Sequence, residues 1–152
     1  MTVIKSISGI RGTVGGSPTD GFNPLTIAHF VVGYAQHIKL YESISRPTIV
    51  VGRDARLSGE MVQQVVIGAL LGMGCDVINI GLATTPTTEM AVLGHRADGG
   101  IIITASHNPI QWNALKFLGS DGTFLNADRG NEVLRLSEDH TVPFASVEDL
   151  GQ

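Results

Sequence analysis

The sequence has a single cysteine, Cys75, among 152 residues, which excludes an internal disulfide and fits a reducing, cytoplasmic setting. Charge is sparse at 16% of residues, against a usual ~25%. Hydrophobic residues make up 43%, too apolar a balance for a disordered chain. No stretch reaches the roughly 20 apolar residues of a membrane span. The longest nearly uncharged one, Met61 to Cys75, is broken by Gly68, Gly72 and Gly74 and carries Gln63 and Gln64. The first residues hold Lys5 but no continuous apolar segment or small-residue cleavage site, so no secretory signal is expected. A basic surplus is missing too. The net charge of −4 resides in the final stretch, where Glu138, Asp139, Glu148 and Asp149 stand without Lys or Arg. A neutral body offers no stripe for nucleic acid, and neither terminus offers a polybasic membrane patch.

Several enzyme signatures are absent as well. Without a Gly-Lys dipeptide there is no P-loop, and without Gly-x-Gly-x-x-Gly no dinucleotide fingerprint. Ser106 lacks the glycine-flanked elbow of α/β-hydrolases. His29, His37, His95, His107 and His140 are scattered, with no His-x-x-x-His spacing for a metal. His29 and His37 read as surface or core-edge residues.

What is present is glycine, 19 residues, and an alternation of helix and strand patterns. Asn23 caps and Pro24 opens a helix with Leu25, Ala28, Val31, Val32, Ala35 and Ile38 at spacings of three and four. Thr48 to Val51, ending at Gly52, reads as a buried strand. Ser58 is expected to cap a second helix with Met61, Val62, Val65, Val66, Ala69, Leu70 and Met73 on its face and Gly74 as its stop. A strand from Cys75 to Ile80 and a short helix opened by Thr85-Pro86 follow. Gly99 to Thr104 is apolar without alternation, as in a strand covered on both faces, and is the expected sheet centre. Ala114 to Leu118 and Thr123 to Leu125 read as a hairpin around Asp121-Gly122, and Asn126 caps a last helix to about Glu138. The expected fold is α/β, three-layer α/β/α, with a mostly parallel mixed sheet of about four strands. Residues 1–138 would form the domain and residues 139–152 a linker or loose tail.

In such sheets chemistry gathers at the carboxyl ends of strands. Two polar loops fall there: Gly52-Arg53-Asp54-Ala55-Arg56 and Thr104-Ala105-Ser106-His107-Asn108-Pro109. If their strands are neighbours, a hydroxyl, an imidazole and two guanidinium groups share one rim, a chemistry suited to an anion. The plainer alternative is a turn satisfied by Ser106 and Asn108, with Arg53 and Asp54 paired on the surface.

Residues 104–109 resemble the active-site serine loop of the α-D-phosphohexomutases, the family of phosphoglucomutase, phosphomannomutase and phosphoglucosamine mutase. Three further segments agree in order: Ser8-Gly9-Ile10-Arg11-Gly12, Gly52 to Gly59, and Asn113-Ala114-Leu115-Lys116. The resemblance, from about residue 4 to 138, implies domain I of such an enzyme, with its rivals a non-catalytic anion-binding or assembly module of the same fold and a serine hydrolase. It implies that Ser106 carries a phosphoryl group and passes it to a hexose 1- or 6-phosphate through a sugar bisphosphate. Lys116 matches the family's general acid/base, which burial near cations would help by lowering its pKa. Arg11 matches the arginine that reaches the phosphoserine from an N-terminal loop, where Gly9, Gly12, Gly15 and Gly16 would bring N–H groups to phosphate. His107 is expected to bond the phosphoryl or a sugar hydroxyl. Ser8 and Asn108 complete the implied substrate contacts, together with Arg53 and Arg56 unless these support the serine loop through Asp54. Trp112 reads as a packing anchor. Ala114 stands where the family usually has glycine. The implied cofactor is Mg²⁺, to which Ser106 offers an oxygen. The family's Asp-x-Asp-x-Asp-Arg metal loop is absent from this sequence, as are its sugar and distal phosphate loops. The partners implied are hexose phosphates, a hexose bisphosphate and the remaining domains of the same enzyme, and the chain alone is expected to be inactive.

Overall fold

A computed structural model describes residues 3–152; Met1 and Thr2, part of the expected domain range, lie outside the described residues. The chain runs β1 (Val3–Ser6), β2 (Gly9–Thr13), α1 (Pro24–Glu42), β3 (Thr48–Arg53), α2 (Gly59–Gly72), β4 (Asp76–Leu82), α3 (Thr85–Gly94), β5 (Gly99–Ile103), β6 (Trp112–Leu118) and α4 (Ala127–Ser137), then a short 3₁₀ turn at Val147–Asp149. The three-layer α/β/α architecture with a mixed sheet is present. Its strand order is β1-β2-β6-β5-β3-β4. Parallel pairing joins β4, β3 and β5, and the other three pairings are antiparallel. The sheet is thus mixed but not mostly parallel as expected, because the N-terminal hairpin and β6 add only antiparallel ladders.

The sheet has six strands rather than about four because the glycine-bearing N-terminus is a β1–β2 hairpin and not a loop. Gly9 permits this: a Cβ there would lie 1.9 Å from the Leu115 carbonyl oxygen, so only a glycine lets β2 approach β6 so closely. Thr123–Leu125 is not a strand; it returns through a single bridge, Leu118 to Phe124, after the Gly122 turn.

Side chains alternate across the sheet and build two cores. Ile49, Val51, Ile101, Ile103, Leu115 and Phe117 face α1, α2 and α4, while Val50, Ile102 and Leu118 face α3 through Val92. The five residues of β5 are all buried, as expected of the central strand. Asn23 and Asn126 cap α1 and α4 by accepting from Thr26 N–H and Arg129 N–H, each at 3.0 Å. The buried face of α1 keeps Val31, Ala35 and Ile38 of the expected stripe and adds Ile27, Phe30 and Tyr34, while Leu25 is 53% exposed. Ser58 does not cap α2; its backbone is already helical and its hydroxyl accepts from Asn113 Nδ2 at 2.9 Å. Helix α3 opens on Thr85-Pro86 as expected, and Thr84 caps it by accepting from Thr87 N–H.

Residues beyond α4 are tied down. Ala145 N–H donates to Gly72 O at 2.9 Å and Gly151 N–H to Leu71 O at 3.0 Å. Gln152 lies beside β4, accepting from Val77 N–H at 2.7 Å and donating to Asp76 Oδ1 at 3.0 Å. The expected looseness of this segment is not seen.

Candidate phosphoryl-transfer site

β3 and β5 are parallel neighbours, so the two polar loops do share one rim. The joint between them is Asp54. Its N–H donates to Ile103 O at 3.0 Å, its Oδ1 accepts from Arg56 N–H at 3.1 Å, and its Oδ2 accepts from the Thr104 hydroxyl at 2.6 Å. The Thr104 hydroxyl accepts in turn from Ser106 N–H at 3.1 Å. A half-buried carboxylate thus reaches the serine backbone through one threonine.

Ser106 is exposed and its φ is 53°, in the left-handed region that is uncommon for residues other than glycine. Its Oγ lies 3.5 Å from His107 Nδ1, at the limit of a hydrogen bond. Asn108 N–H donates to Ala105 O at 3.0 Å and closes the turn before Pro109. Beneath the loop, Arg56 donates to the carbonyl oxygens of Ser106, Asn108, Pro109 and Trp112 at 2.7, 2.8, 2.9 and 3.1 Å. Arg56 therefore holds the loop directly as well as through its ion pair with Asp54, at 3.3 Å. Arg53 points elsewhere, donating to Gln63 Oε1 at 3.2 Å and to Asp54 O at 3.2 Å.

The remaining expected residues meet on the open side of the sheet. Among the described residues only α3 covers that side, over β3 and β5, and beyond it Ser8, Arg11 and Lys116 line a cleft of about 310 Å³ together with Ile4, Ser6 and Ala114. Register explains the grouping: Arg11 pairs with Ala114, and Gly9 with Lys116. Arg11 is exposed and Lys116 half-buried, so two cations and small hydroxyl residues share one concave surface. Ser106 stands on the rim loop and is not among the lining residues. Three of the four N-terminal glycines do not present free N–H groups as expected: Gly9 and Gly12 sit in the β2 ladder, and Gly15 N–H donates to Phe22 O at 3.1 Å. Ala114 needs no glycine geometry, because its backbone is ordinary strand. Its methyl group lines the cleft instead.

Thr104 and Asn113 were legible as members of the matching segments, but neither had an assigned part. Thr104 bridges Asp54 to Ser106. Asn113, fully buried, donates to Ser58 Oγ and accepts from Ala114 N–H at 2.8 Å, which fixes the start of β6. The available signal was a small hydroxyl residue two positions before the serine, where side-chain-to-backbone turns form.

A Mg²⁺ ion demands an octahedral shell of oxygens. Among the described residues no group of three or more His, Cys, Asp or Glu side chains is arranged to hold a metal. Both Asp54 oxygens are already engaged at the loop. The described residues do not form a self-contained Mg²⁺ site.

Residues 3–142 match the model of the phosphoglucomutase/phosphomannomutase α/β/α domain I. A phosphoglucomutase/phosphomannomutase of Thermococcus kodakarensis is 48% identical over 100 residues, covering 64% of this chain and 22% of that protein. A phosphoglucosamine mutase of Leuconostoc citreum is 43% identical over 112 residues, covering 72% of this chain and 25% of that protein. The chain thus spans about a quarter of the length of the curated relatives it matches. A crystal structure of a Thermus thermophilus protein assigned as a phosphomannomutase superposes over 100% of this chain and 32% of its own, with a TM-score of 0.79 and 27% identity. A Burkholderia thailandensis structure, at a TM-score of 0.70 and 22% identity over 98% of this chain and 33% of its own, shares the fold.

Proposed function

This chain belongs to the phosphoglucomutase/phosphomannomutase family as an α/β/α domain I, and from that premise we propose that it carries the phosphoserine of an enzyme interconverting hexose 1- and 6-phosphates. One observation supports this most: an exposed serine, held in a left-handed backbone by Thr104 and Arg56, on a loop whose Thr104 N–H donates to Ala114 O, itself a lining residue of the cleft that bears Arg11 and Lys116.

The transfer has a simple balance. A hydroxyl oxygen of the hexose monophosphate forms a bond to phosphorus as the Ser106 Oγ–P bond breaks. The sugar hydroxyl's proton leaves to a base and Oγ regains one. The bisphosphate then returns its other phosphoryl to Oγ by the reverse step. Such transfers depend on positioning and on compensation of charge at the equatorial oxygens. Arg11 supplies fixed positive charge, Lys116 Nζ moves the proton, and His107, adjacent to Oγ, hydrogen-bonds the phosphoryl group. Mg²⁺, when bound, would compensate further charge, with Ser106 contributing one oxygen and other parts of the full-length protein the remainder. Ser8 and Asn108 complete the proposed sugar-phosphate contacts. Named relatives act as phosphoglucomutase/phosphomannomutase and as phosphoglucosamine mutase, so the substrate class is a hexose or hexosamine phosphate.

The test uses the full-length protein. After incubation with a hexose bisphosphate, intact-mass measurement should show one phosphoryl group, absent in Ser106→Ala, and a coupled assay should show turnover that residues 1–152 alone lack. An unmodified protein that still binds the sugar phosphate would replace the mutase with an anion-binding module.

A further inference from the structure

The geometry points to Arg56 as the residue that positions the phosphoryl-carrying serine, a role that rests on the reading of Ser106 given above. A guanidinium has five N–H donors and no acceptor. In Arg56 the pair on Nη1 goes to the carbonyls of Pro109 and Trp112, and the pair on Nη2 to those of Ser106 and Asn108. The remaining donor, on Nε, is buried and makes no hydrogen bond, lying 3.3 Å from Asp54 Oδ2 in an ion pair. No exposed donor is left for a sugar or a phosphate. This arginine therefore works on the serine loop and not on the ligand.

Its grip has a directional consequence. Peptide units are planar and trans, and no cis bond occurs among the described residues. Drawing the Ser106 carbonyl toward Arg56 therefore sends the next N–H, that of His107, to the opposite side. That N–H has no hydrogen-bond partner among the described residues. Ser106 is also held from its other side, its own N–H donating to Thr104, which Asp54 fixes. Arg56 and the Asp54–Thr104 pair thus clamp both peptide planes flanking one left-handed residue. The clamp sets the direction of Oγ and presents the His107 N–H to an incoming phosphoryl oxygen, the arrangement by which backbone nests hold anions.

Arg56→Lys tests this in the full-length protein, because lysine keeps the charge but loses the planar fork. Arg56→Gln serves as a second, uncharged variant. Both should lower kcat, and the rate at which a hexose bisphosphate phosphorylates Ser106, by about 100-fold, with KM moving less than about threefold. Amide hydrogen exchange should quicken over residues 104–112 and stay unchanged across β3 and β5, which also shows that the fold is kept. In Arg56→Ala, added methylguanidinium should restore part of the rate. A lysine variant with wild-type kcat and wild-type loop exchange overturns the proposal, as does a raised KM at unchanged kcat. If the wild-type protein takes no phosphoryl group on Ser106, the mutase reading fails by itself. Loop exchange in Arg56→Lys then still decides whether Arg56 holds the serine, and unchanged exchange overturns that role.

Discussion

Tyr34 links a helix to two strands through one oxygen. Its hydroxyl accepts from Gly100 N–H at 2.8 Å and donates to Leu118 O at 2.6 Å, while its ring stacks on Phe117 with centroids 4.7 Å apart. Complete burial pushes the phenol far above its ordinary titration range, so it stays a neutral donor at any working pH. Tyr34→Phe keeps the packing and strands both backbone groups; urea denaturation should show a loss of about 1–3 kcal/mol. Ser106 poses the opposite case. Its backbone would be served at least as well by glycine or asparagine, so conformational preference does not account for a serine there. The proposed phosphoryl transfer accounts for it, because the hydroxyl is what the position gains. The sequence motif identified the serine through its neighbours. Its left-handed backbone was illegible, because that depends on Thr104 and Arg56 arriving from two different strands' ends.

Helix α1 packs on α4 through a glycine. A Cβ at Gly33 would lie 2.6 Å from Ser137 N and 2.8 Å from Val133 O, so the two backbones approach with no side chain between them. At Gly68, on α2, a Cβ would meet nothing within 4 Å. The same substitution should therefore act with opposite sign. Gly33→Ala should destabilise by about 1–3 kcal/mol through overpacking, and Gly68→Ala should stabilise by about 0.5–1 kcal/mol through helix propensity. Thermal melting of the two variants compares them directly. Elements with strong local signals were readable: both asparagine caps, the proline at the start of α1, and the buried strand β5. Those that failed depend on distant partners. The full width of the α1 buried face, beyond the expected Val31, Ala35 and Ile38, is set by α4 and the sheet. The β1–β2 hairpin was hidden because its glycines, which allow close approach to β6, look in sequence like loop residues. The cleft shared by Arg11 and Lys116 was invisible for the same reason, since it exists only once β2 and β6 pair.

The molecule as a whole carries a pH-sensitive joint where α1 meets α4. His37 Nε2 accepts from Arg129 Nε at 3.0 Å, and the Arg129 guanidinium lies 3.7 Å over the Tyr41 ring. Burial, then the Arg129 charge, lowers the His37 pKa to about 4, against an opposing pull from Glu132. The folded state thus holds His37 neutral where the unfolded chain takes up a proton. Stability from this group is complete above about pH 6.5 and falls as pH drops toward 4, by on the order of 3 kcal/mol. His37→Gln, which keeps an acceptor for Arg129 but cannot titrate, should flatten melting temperature against pH across that window. Asp76, Asp121, Glu132 and Asp139, held below the usual carboxylate pKa by their hydrogen bonds, add a further loss at lower pH. The last residues bear on a different global property. An outermost strand exposes unpaired backbone that can template another copy of the chain. Here β1 is short and carries Lys5, and Gln152 has already paired with the first residues of β4. A segment that reads as a mere connector thereby withdraws the Val77 N–H, at the start of one margin of the sheet, from edge-to-edge pairing.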